Sequence, residues 1–144
     1  MRRLERLGAL VALAALLPAA GCAGDGRSLA DDALDPGPIP PTLAGLQKNI
    51  FGKICINCHF PGGPGPMPLD TAANSYASLV NAPSVEIPGL FRVVPGDPAS
   101  SYIVAKINGV PGIIGDPMPP PPEARLTAEE IAAIEQWITD GALP

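Results

Sequence analysis

Apolar positions recur at helical spacing in several stretches of this chain, separated by segments in which proline and glycine forbid a helix. Leu43, Leu46, Ile50 and Ile54 predict a first helix that starts near Thr42 and delivers the chain into "CINCH" at 55–59. The next stretch, "FPGGPGPMPL" at 60–69, cannot continue it, because its prolines remove N–H donors and its glycines the dihedral restriction that a helix needs. The pattern allows a short helix over 74–80. A clearer one is expected from "GDPASSYIVAKI", with Asp97 as its cap and Pro98 at its first position. The last helix has the fullest signature. Thr127 and Glu130 form a T-x-x-E capping box, Leu126 and Ile131 are spaced for a hydrophobic staple, and Ile131, Ile134 and Ile138 share one face with Trp137. No internal repeat and no strand alternation occurs. The expected class is all-α, small, with long Pro/Gly-rich loops.

One of those loops is too long to be a mere connection. From Asn108 to Arg125 the chain reads "NGVPGIIGDPMPPPPEAR", with neither helical nor strand periodicity. Structureless segments of this length inside a domain are usually functional or disordered. Four prolines after Met118 lower the entropy lost on ordering this one, so it is expected to hold a single shape.

Composition adds that the core is lean. Aromatics are only 4%, whereas 20 Pro and 16 Gly make up a quarter of the 144 residues. A domain with so little to bury often depends on a staple, a metal or a cofactor. Part of the apolar content lies at the amino terminus. There "MRRLERLG" supplies a positive region ahead of "ALVALAALLPAAG", which is short for a membrane span. Residues 1–21 are therefore expected to be an export signal. The run ends in "PAAGC", which resembles a bacterial lipobox, with Ala19 where that motif most often has leucine; the resemblance implies lipidation of Cys22, the alternative being ordinary signal-peptidase cleavage that leaves no lipid. Residues 22–41 then read as a flexible, Pro-rich tether, and 42–144 as the folded domain.

Removing residues 1–21 takes away three of nine basic and one of fourteen acidic residues, leaving six against thirteen, a net charge of −7. Such a surface excludes nucleic acid as a partner and favours a protein with a basic docking patch. The expected location is the periplasmic side of a membrane, inner or outer, held through the lipid.

The only histidine, His59, directly follows the pair Cys55 and Cys58. A redox dithiol would want a thioredoxin-like βαβ context, which is not visible. Structural zinc needs four ligands, and with Cys22 lipidated only two Cys and one His remain, so either a carboxylate completes the site or zinc is wrong. A disulfide across so short a loop leaves His59 without a role. Covalent haem uses all three residues: C-x-x-C-H is the c-type attachment sequence, with two thiols for the vinyl groups and the imidazole for the iron. For the sixth position the mature chain offers Met118, in the stiffened loop, and Met67, only eight residues beyond His59. Met118 is the expected ligand. Tyr102 and Lys106 read as a helix-surface pair, with a haem propionate as their alternative partner, Trp137 as core, and Arg92 as either a propionate partner or a solvent-facing charge.

The segments "CINCH", "VPGDPASS", "PMPPPP" and "LTAEEIAAIEQWITDGA" together resemble bacterial monohaem cytochromes c of the CxxCH…PGDPxxS…MPP…LTxEE…WIxxGA type, over Leu43 to Leu143. The glycine- and proline-rich stretch after His59 departs from that pattern. The resemblance implies a small cytochrome c-like fold with helices around one covalent haem c. It implies Cys55 and Cys58 as thioether anchors and His59 and Met118 as the axial pair. It also implies first and last helices packed together, with Trp137 near their junction. The implied activity is single-electron transfer to redox partner proteins, not catalysis. An open sixth position would instead suit a haem-based ligand sensor or a peroxidase-like enzyme. A chain without haem would be a structural or non-haem metal module.

Overall fold

In a computed structural model that describes residues 37–144, Thr42 caps the first helix, its hydroxyl accepting the Gly45 N–H at 3.1 Å. Helix α1 (Leu43–Leu46) runs directly into a π-helical turn, Gln47–Phe51. The widening follows from one local feature and one long-range one. The Gly52 N–H donates to Gln47 O at 2.9 Å, an approach only glycine permits, since a Cβ there would stand 2.7 Å from that oxygen. The Gln47 side chain meanwhile bridges outward, donating to Leu69 O at 3.0 Å and accepting the Ser75 hydroxyl at 2.7 Å. The expected helix therefore stops before Ile54, and a 3₁₀ turn, Cys55–Asn57, carries the chain through the C-x-x-C-H segment.

Helix α2 (Ala72–Leu79) is capped by Thr71. Helix α3 (Tyr102–Asn108) begins later than its sequence signals suggest. Asp97 closes a separate turn, accepting the Ser100 N–H at 3.0 Å, and the cap position falls to Ser101 in extended conformation. Ser101 is held there by a parallel bridge to Phe91, while its buried hydroxyl donates to Asp97 O at 2.8 Å and accepts the Val94 N–H at 2.8 Å. These tertiary bonds outweigh the local preference of Asp-Pro for starting a helix. Gly109, left-handed at φ 66°, ends α3. Helix α4 (Ala128–Thr139) has its capping box, with Thr127 and Glu130 exchanging backbone hydrogen bonds.

The described residues form helices, turns and three isolated bridges, with no strand, so the unit is all-α. Its core joins Leu46, Ile50 and Phe51 to Ile134, Trp137 and Ile138 of α4, all essentially buried. Phe51 and Trp137 meet edge to face, centroids 6.2 Å apart, so the first and last helical segments lock together next to the cysteine turn. The compact unit extends from Gly37 to Pro144. Residues 37–41, read as the end of the tether, lie in it, with Ile39 packed against the core. The expected export signal, Cys22 and the rest of the expected tether lie outside the described residues. No described helix is long and apolar enough to cross a membrane.

Candidate functional site

The cysteine turn, the proline loop and α3 enclose a cavity of about 680 Å³, within the range of cofactor-sized sites. Cys55, Cys58, His59 and Met118, named from the sequence, all line it. Met67 lines it too. Both thiols are free. Burial pushes the Cys55 thiol up to about 12, with the Glu130 charge adding to the rise and the backbone opposing it. That is the reverse of an activated redox thiolate.

His59 is seated by the loop that follows it. The Gly65 N–H donates to Cys58 O at 2.9 Å and the Leu69 N–H to His59 O at 2.7 Å, so residues 60–69 fold back over the imidazole. Gly65 touches the ring so closely that a Cβ would lie 2.3 Å from Nδ1. Nδ1 is buried and forms no hydrogen bond, although the Met67 backbone is near enough to favour its proton. Burial nevertheless holds the His59 pKa below its usual value, Arg92 adding to the effect, which favours the neutral, ligating imidazole. With Nδ1 turned into the loop, Nε2 is the nitrogen left to the cavity.

These features fit a covalent haem. Two thiols and one imidazole converge on the cavity, which is large and mostly apolar-lined, with a thioether also on its wall. Four of the five cationic residues in 37–144, Lys53, Arg92, Lys106 and Arg125, line it as well, although the chain is acidic. Glu86, Glu123 and Glu130 line it too, and Glu86 pairs with Lys106, so the wall is mixed in charge with a slight cationic excess. No cluster of three or more His, Cys, Asp or Glu side chains able to hold a metal ion occurs among the described residues.

One part of the wall was not legible in the sequence. Tyr102 and Lys106, expected as a helix-surface pair, are buried. Lys106 Nζ pairs with Glu86 Oε2 at 3.0 Å, and the Tyr102 hydroxyl donates to the same carboxylate at 2.7 Å. Their burial is made possible by Glu86, a loop residue whose partners lie 16 and 20 positions away. Arg92 is half-buried and donates to Ser78 O at 2.8 Å.

Burial alone would raise the Glu86 pKa, but the Tyr102 hydroxyl and Lys106 outweigh it and hold the carboxyl below its ordinary value. Its stabilisation is therefore complete above the ordinary carboxylate pKa and is lost as pH falls through the lowered folded value. Glu86→Gln should flatten the acid limb of a plot of urea midpoint against pH, measured between about pH 6 and pH 2. An unchanged acid limb would remove Glu86 from that balance. Compared with protein-family models, with curated proteins and with solved structures, the chain matches none.

Proposed function

We propose that this chain is a c-type cytochrome of cytochrome c-like fold that carries single electrons. In this reading Cys55 and Cys58 would hold the haem covalently, and His59 and Met118 would hold its iron. The observation that carries the reading is that these four side chains, from two segments remote in sequence, line one cavity. Met67 is the weaker candidate for the sixth position. Its backbone lies against the Nδ1 side of His59, whereas Met118 comes from the loop that follows α3.

A bound haem supplies one-electron Fe(III)/Fe(II) chemistry, and a thioether ligand raises its potential relative to a second imidazole. The chain contributes the rest. The apolar wall keeps water from the site, Gly65 and the 60–69 loop fix the imidazole, and the cysteines fix the ring position. Export with lipidation at Cys22 would confine the domain to a membrane surface and let it swing on its tether between donor and acceptor, raising their effective concentration. The acidic chain suits redox partners with a basic docking patch.

The test is the absorption spectrum of the mature chain from cells that attach haem c, oxidised and reduced, beside Met118→Ala. The expected wild type is covalently red and low-spin, with a far-red sulfur-to-iron band that Met118→Ala abolishes. A high-spin wild type that binds carbon monoxide would instead indicate a ligand sensor or a peroxidase-like enzyme. A colourless protein would sink the haem reading.

A further inference from the structure

The segment between α3 and Met118 has no secondary structure of its own, yet it is fastened to α3 at successive points. The buried Lys106 ammonium donates to Ile114 O at 2.7 Å. The Ile114 N–H donates to the Tyr102 hydroxyl at 3.0 Å, so both backbone groups of one loop residue are taken by one face of the helix. Four residues on, the Met118 N–H donates to Lys106 O at 2.9 Å. Beyond the prolines, the Arg125 guanidinium donates to Ile107 O. Glu86 completes the arrangement from the opposite loop, accepting from Tyr102 and Lys106 together.

We infer that Tyr102, Lys106 and Glu86 form a clamp that positions Met118 over the cavity and makes it a persistent ligand. The inference rests on the electron-carrier reading and names what would keep the sixth position closed. None of the three residues is assigned contact with iron; they are positioning residues acting through Ile114 and the Lys106 carbonyl. The irregular segment 109–125 would sample many conformations unless pinned. Prolines 119–122 stiffen the part after Met118, whereas the part before it sets Pro111 and Pro117 against Gly109, Gly112 and Gly115 and so leans more on the clamp. The link at Lys106 is a hydrogen bond from a charged donor inside the protein, the stronger kind.

The experiment uses the haem-bearing mature protein as wild type, Lys106→Met and Tyr102→Phe. Two quantities are read: the carbon monoxide binding rate of the reduced form, and hydrogen exchange in the 109–118 peptide by mass spectrometry. Both variants should keep covalent haem, weaken the far-red band, and raise both rates by roughly tenfold, the scale of one hydrogen bond to a charged group. If Lys106→Met fails to fold, Tyr102→Phe decides alone, because it removes a single oxygen from a side chain whose ring stays in place. Haem-bearing variants with wild-type carbon monoxide binding and exchange overturn the clamp and leave the carrier reading standing. A wild type without covalent haem overturns the carrier reading, and with it any role for Met118 at iron. Faster exchange with an unchanged far-red band and carbon monoxide rate would also overturn the inference, since the triad would then be fastening the loop without positioning the methionine.

Discussion

Trp137→Ala is expected to cost about 3–5 kcal/mol of folding stability, the largest effect of any single core truncation in this unit. Trp137 is 2% exposed and is the bulkiest fully buried side chain. Its removal would open a cavity where Phe51 and α4 meet. Its indole N–H also donates to Leu143 O at 2.8 Å, so the same change frees the carboxy-terminal residues from the helix. Domains of this size have only about 5–15 kcal/mol in total, and a core lean in aromatics cannot redistribute such a loss. Trp137→Phe separates the two contributions. It keeps an aromatic ring against Phe51 and forfeits chiefly the hydrogen bond, about 1 kcal/mol. Urea midpoints of the three proteins measure this order. A Trp137→Ala midpoint close to that of Trp137→Phe would mean that the core collapses around the missing ring.

That Trp137 belongs to the core was legible, because α4 carries its own instructions. The Thr127–Glu130 box and the spacing of Ile131, Ile134 and Ile138 are local signals, and local signals survive into the fold. The absence of strands and the irregular 109–125 segment followed from the same kind of reading. The start of α3 did not. Asp97-Pro98 announces a helix locally, but Ser101 is claimed by Phe91, Val94 and the Asp97 carbonyl, and those partners cannot be seen in a window around Pro98. The π-helical turn escaped for a similar reason: Gln47 reaches Ser75, 28 positions away.

The candidate site divides along the same line. Cys55, Cys58 and His59 were found through a contiguous motif, and Met118 through its loop and the scarcity of methionine. Lys106 and Tyr102 look like surface residues until Glu86 is brought opposite them. Gly65 is the most instructive omission. A glycine in "PGGPGP" reads as a turn residue, yet its φ lies outside the left-handed range that favours glycine in turns. What requires the missing side chain is a neighbour.

Gly65→Ala is accordingly expected to act on the imidazole rather than on the backbone. The added methyl would sit 2.3 Å from Nδ1, 2.6 Å from Cε1 and 2.8 Å from Cγ of His59, too close for any of the three. Either the ring turns or the 60–69 loop lifts, and lifting it breaks the bonds from Gly65 to Cys58 O and from Leu69 to His59 O. Overpacking of this kind costs about 1–3 kcal/mol. Neither cysteine is touched, so if the chain carries haem as proposed, covalent attachment should persist while the low-spin spectrum weakens and the thermal midpoint falls. Gly62→Ala is the matched control. Gly62 has φ +80° and nothing within 4 Å of where a methyl would stand, so alanine there strains the chain by about 1 kcal/mol without approaching His59. A lowered midpoint with an unaltered spectrum is expected for Gly62→Ala, and both changes together for Gly65→Ala. If the two variants behaved alike, the loop would be yielding around the methyl, and the imidazole would owe its orientation to the cysteine turn alone.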